Sequence, residues 1–158
     1  MRFHAFALAA SAAFVTVPAT AAGLVQAQDP QTLVAALQKA GYRAELGADK
    51  GGDPMITSGA SGTTFQIYFY NCTANKDCAT VQFHSGYDLK TATPLETLNE
   101  WNRDERFGRA FLDKDNDPVV EMDVDLDDGG MSPELFIDNI EFWTAILTDF
   151  EKRIGYRK

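Results

Sequence analysis

The residues best equipped for chemistry are acids. In Asp123-x-Asp125-x-Asp127-Asp128-Gly129, with Glu134 twelfth in the count, carboxylates fall at the first, third, fifth and twelfth places of a calcium loop. The sixth place, where such a loop needs glycine for its sharp turn, is Asp128, and Val124 and Leu126 between the acids suit a strand better than a loop. Asp113-x-Asp115-x-Asp117 repeats the spacing without a later ligand and reads as a turn. A calcium-binding or carboxylate-dependent hydrolytic protein using the acids of 113–128 is therefore the alternative to the main reading, which is a solvated strand face.

Other catalytic sets lack parts. His4 falls in a leader, so His84 alone is left to serve as a zinc ligand or as the base of a nucleophile triad, and no Gly-x-Ser-x-Gly elbow accompanies it. Cys72 and Cys78 are too far apart for a Cys-x-x-Cys redox centre, and their expected role is a structural disulfide. The 23 Asp and Glu make chance acid pairs too common to single out a hydrolase. The glycine clusters at 51–62 lack the Gly-Lys-Ser/Thr of a phosphate loop. The expectation is a non-enzymatic protein with no cofactor and no metal.

One cluster suits binding. Asn99, Trp101, Asn102 and Arg106 bring two amides, an indole and a guanidinium to one helix end, where a peptide or small anion could be held. Each also has a structural use. Trp101 continues a buried stripe, the two amides close the helix end against the next strand, and Arg106 pairs with Asp104 or Asp113; this structural role is the favoured reading.

The elements that must position these groups are legible from period and punctuation. Asp29 caps a first helix with Pro30 at its first position; Leu33, Val34, Leu37 and Ala40 form its stripe, and Gly41 ends it. Short strands punctuated by Gly, Asp and Ser follow. The clearest pair is Thr64–Cys72 against Cys78–Ser85, with Tyr70 opposite Thr80, Phe69 opposite Val81, Ile67 opposite Phe83 and Gln66 opposite His84. This register gathers Phe65, Ile67, Phe69, Val81 and Phe83 on one face and puts both sulfurs on the other. A second helix follows Pro94, with Leu95, Leu98 and Trp101 inward, and ends near Glu105. Strands at Phe107–Asp113 and Pro118–Leu126 come next, the latter alternating Val120, Met122, Val124 and Leu126 with acids.

The last helix opens with Ser132 as cap and Pro133 at its first position. Its apolar residues, Leu135, Phe136, Ile137, Ile140, Phe142, Trp143, Ile146, Leu147, Phe150 and Ile154, span an arc of roughly 220°, about twice what one core-facing side needs. Either the sheet and first helix cover all of it, or a flank carrying Phe142 and Ile146 is left for a partner or a second copy. The candidate binding surface is thus Asn99, Trp101, Asn102, Arg106, Phe142 and Ile146.

The chain opens with Arg2, an apolar run from Ala5 to Val17 and small residues, the pattern of a cleavable export leader. Cleavage fits after Ala19-Thr20-Ala21 or after Val25-Gln26-Ala27. The second is preferred, giving a leader over 1–27 and one domain over 28–158, because Gln28-Asp29-Pro30 then begins a helix. Export to the periplasm or the medium agrees with a persisting disulfide. A net charge of −9 argues against nucleic acid and anionic membranes as partners.

Taken in order, Leu33, Leu37, Gly41 and Tyr42, then Phe65–Cys72 with Cys78, then Asn99-Glu100-Trp101-Asn102 with Arg106-Phe107, Glu121–Val124, Gly129-Gly130 and the Trp143 helix resemble the YbjN domain. That family is described as bacterial sensory transduction regulators with a fold like type III secretion chaperones. The resemblance implies an α+β fold, α-β-β-β-β-α-β-β-α, with an antiparallel sheet and often dimer-like packing, and it supplies no catalytic residues. The function expected is an exported YbjN-like module that binds a protein or peptide as a regulator or chaperone would, with a homodimer or a protein or peptide ligand as the expected partner.

Overall fold

A computed structural model describes residues 23–157, so most of the expected leader lies outside the described residues. The elements are α1 (Pro30–Lys39), β1 (Arg43–Ala48), β2 (Pro54–Ala60), β3 (Thr63–Tyr70), β4 (Thr80–Gly86), α2 (Leu95–Asp104), β5 (Arg109–Leu112), β6 (Pro118–Asp125) and α3 (Pro133–Arg153). This is the expected α+β order. The six strands form one antiparallel sheet in the order β1-β2-β3-β4-β6-β5.

Local signals act as chemistry requires. Asp29 accepts a hydrogen bond from the Gln31 N–H at 3.2 Å, and Ser132 accepts one from the Leu135 N–H at 3.2 Å, each satisfying an orphan donor at a helix start. Gly41, at φ +90°, lets the Tyr42 N–H reach back to the Leu37 carbonyl at 2.9 Å and close α1. The β3–β4 register is the one the sequence predicts, with Tyr70 opposite Thr80, Phe69 opposite Val81, Ile67 opposite Phe83 and Gln66 opposite His84.

α3 covers the apolar sheet face. The Trp143 ring lies 5.7 Å from Phe83 and 5.9 Å from Phe65, and Phe150 meets Trp101 of α2 at 5.1 Å. Such pairs add to the transfer of large rings from water. Most of the wide arc of α3 is thereby used. Phe136, Ile140, Trp143, Ile146, Leu147 and Phe150 are buried and Ile137 and Ile154 partly so, while Leu135 and Phe142 face outward.

Four local expectations fail. Ala40 is exposed because α1 ends at Lys39, and Leu95, in the first turn of α2, is 70% exposed, so the buried stripe of α2 begins at Leu98. The strand expected from Phe107 begins at Arg109, because Gly108 takes φ +83° where a Cβ would stand 2.9 Å from the Ile146 side chain. The disulfide Cys72–Cys78 forms, but its sulfurs belong to the core side. β3 stops at Tyr70 and Asn71 turns left-handed at φ +56°, which breaks the alternation that would have sent both cysteines to the wet face.

Candidate functional site

The cluster at the end of α2 separates into structural and exposed parts. Trp101 is buried and its indole N–H donates to the Gly108 carbonyl at 2.7 Å. Asn102 donates from Nδ2 to the Ala110 carbonyl and accepts from the Ala110 N–H, both at 2.8 Å. Both side chains are thus engaged in fixing α2 to β5. Asn99 is exposed. Arg106 forms no ion pair with Asp104 or Asp113; its guanidinium lies 5.2 Å from the centroid of the Phe107 ring. Arg153 of α3 is the cation that approaches Glu100, Asp104 and Glu105, at 3.8 to 3.9 Å.

On the flank of α3, Ile146 is buried against Gly108, so it offers no surface. Phe142, 54% exposed, packs its ring 5.3 Å from Phe107, itself 44% exposed. An outward aromatic pair with a stacked guanidinium thus joins the helix to the loop before β5. A shallow cleft of about 430 Å³ beside Phe142 is lined by Asp138, Glu141 and Ala145.

The opposite, helix-free face of the sheet holds groups that sequence reading did not bring together. Gln82 of β4 donates to Asp123 of β6 at 2.8 Å and accepts from the Tyr70 hydroxyl at 3.2 Å. The Glu121 carboxylate is nearly buried between His84, 3.0 Å from Nδ1, and Arg109. All of these groups except His84 border an open cleft of about 700 Å³ that Asn71, Thr80 and Asp125 also line. Burial raises the Tyr68 and Tyr70 phenols above their ordinary range, with nearby acids adding to the effect. The polar alternation along β3, β4 and β6 was visible; the β4–β6 pairing, separated in sequence by α2 and β5, was not.

The acidic run does not form a calcium loop. Asp123 and Asp125 lie in β6, the Asp125 carboxylate accepts the Asp127 N–H at 3.0 Å, and Asp127 accepts the Asp128 N–H at 2.9 Å. In the second run Asp113 accepts the N–H groups of Asp117 and Asp115, which hold its carboxyl below the usual range. Among the described residues no three His, Cys, Asp or Glu are grouped to hold a metal ion. Nor is any helix there long and apolar enough to cross a membrane.

Comparison with curated proteins and with solved structures gives no match. Comparison with protein families matches residues 29–155 to YbjN, described as "Putative bacterial sensory transduction regulator". That span runs from the cap of α1 to just past α3 and holds every strand, and on it the chain belongs to the YbjN family.

Proposed function

We propose that this protein is an exported, non-enzymatic module that acts as a regulator or chaperone does, by binding a protein or peptide at the outer flank of α3. The observation that carries the reading is the exposed Phe107–Phe142 pair with Arg106 stacked on it. Aromatic rings and arginine are the side chains that most often dominate protein interfaces, and two rings held by different elements form an anchor that loses little entropy on binding. Asp138 and Glu141 beside the pair suit a ligand that presents an apolar side chain next to a basic one. The β5 edge is a poor docking site, since Asn102 occupies it. The regulator description of the family and the disulfide, which is at home in an oxidising compartment, agree with this reading.

The test compares the wild type with a Phe107→Ser, Phe142→Ser double variant in crosslinking and pulldown from the native envelope. Both exchanges are at exposed positions, so a folded variant is expected. A partner retained by the wild type and lost by the variant supports the reading; equal capture by both overturns it. Mass-calibrated chromatography of the two proteins identifies the case in which the partner is a second copy.

A further inference from the structure

Resting on the export proposed above, we infer that the leader is cut after Ala21, so that the mature chain begins at Ala22 and keeps residues 25–27 as a working part of the fold. The cut after Ala27 satisfies the same small-x-small rule but severs a packed segment. Val25 forms an antiparallel bridge with Met131, its N–H donating to the Met131 carbonyl at 2.9 Å and its carbonyl accepting the Met131 N–H at 3.0 Å. Gln26 donates from Nε2 to the Gly129 carbonyl at 3.1 Å and from its backbone N–H to Thr32 Oγ1 at 2.9 Å. Val25 and Ala27 are 1% and 0% exposed, both within the core cluster.

Gly130 records the same docking from the other side. At φ +82° it faces the Val25 carbonyl so closely that a Cβ there would stand 2.0 Å from that oxygen. Its missing side chain makes room for this segment. The segment also bridges the start of α3 to the start of α1, since Met131 immediately precedes the Ser132 cap and the Asp29 N–H donates to the Gln26 carbonyl at 3.1 Å. A chain beginning at Gln28 would lose Val25 and Ala27 from the core and leave both backbone groups of Met131 without these partners. The upstream site has no such cost and lies nearer the end of the apolar run.

The test is the mass and N-terminal sequence of the first processed species after pulse-labelled expression of the full precursor, alongside an Ala21→Arg precursor. A product beginning at Ala22, with precursor accumulating in Ala21→Arg, is the expected result. A first product beginning at Gln28, or normal processing of Ala21→Arg, overturns the inference while leaving export intact. Uncleaved protein retained in the cytosol overturns export itself, and the inference with it.

Discussion

Asn102 faces Ala110 across the edge of the sheet as one rung of a neighbouring strand would, its amide matching both the N–H and the carbonyl of that residue at 2.8 Å. β5 is an edge strand of four residues, and an edge with free donors and acceptors invites pairing with another chain. The amide closes the middle of it without adding a strand.

Replacing Asn102 by Ala removes both bonds and leaves two partly buried backbone groups unpaired, for a loss of about 1–3 kcal/mol. The variant should also self-associate more than the wild type as concentration rises. Urea unfolding and sedimentation measure the two effects. A variant with wild-type stability and association would show that the edge does not need this rung.

The two tryptophans should respond differently to loss of the indole N–H. Trp101 donates to the Gly108 carbonyl, whereas Trp143, though fully buried, has no partner for Nε1 among the described residues. Trp101→Phe loses ring volume and orphans a carbonyl, and should cost about 2–4 kcal/mol. Trp143→Phe loses similar volume but discards an unpaired donor, so its cost should be smaller by about 1 kcal/mol or more. Equal costs, or the reverse order, in chemical denaturation would refute this account.

Legibility followed the range of the interaction. The caps of α1 and α3, the alternation of β6 and the β3–β4 register rest on residues close in sequence, and all were readable. Side-chain destinations set by distant elements were not. The burial of Trp101 and the closing of the helix end by Asn102 against the next strand were legible; the particular partners, the Gly108 carbonyl and Ala110, were not, because that strand returns only after a left-handed glycine. Glu121 was expected among the wet residues of its strand; His84 and Arg109, brought beside it by β4 and β5, enclose it. The burial of Val25 and Ala27 was not legible either, because nothing local shows that Met131 pairs with Val25. Of the six candidate binding residues, Phe142 keeps an exposed ring, and the partner ring on Phe107 is fixed by tertiary packing alone.

The disulfide closes a short hairpin in which Asn71, Ala74, Asn75 and Asp77 all have positive φ. Left-handed backbone at residues with a Cβ is unfavourable, so the covalent link opposes opening of the loop. Asn75 in turn donates to the Gly51 carbonyl at 3.2 Å and to Asp53 at 2.9 Å, which ties this loop to the β1–β2 turn. A Cys72→Ser, Cys78→Ser double variant should lose about 2 kcal/mol, the chain-entropy expectation for so short a loop. Thermal unfolding with and without reductant tests it: reductant should lower the midpoint of the wild type and leave that of the variant unchanged. A wild type insensitive to full reduction would remove the stabilising role.

Tyr87 links folding to alkaline pH. It is buried beside Phe150, 5.8 Å between ring centres, and its hydroxyl donates to the buried Glu151 carboxylate at 3.3 Å. Burial pushes its phenol far above the ordinary value, more than its contact with Ser85 lowers it, and the charge of Glu151 adds to the rise. Folded protein therefore keeps the Tyr87 proton where unfolded chain, ionising near pH ~10, has lost it. The unfolded state then binds fewer protons, so this contribution is fully present below about pH 10 and is lost as pH rises towards the folded value. Tyr68 and Tyr70 are raised as well, so some alkaline loss remains without Tyr87. In urea unfolding followed from about pH 8 to pH 11.5, Tyr87→Phe should start less stable, because Glu151 has lost a donor, and should decline less steeply above pH ~10 than the wild type. Parallel declines would mean that Tyr87 ionises as readily in the folded protein as in the unfolded chain, and that its burial does not hold the proton.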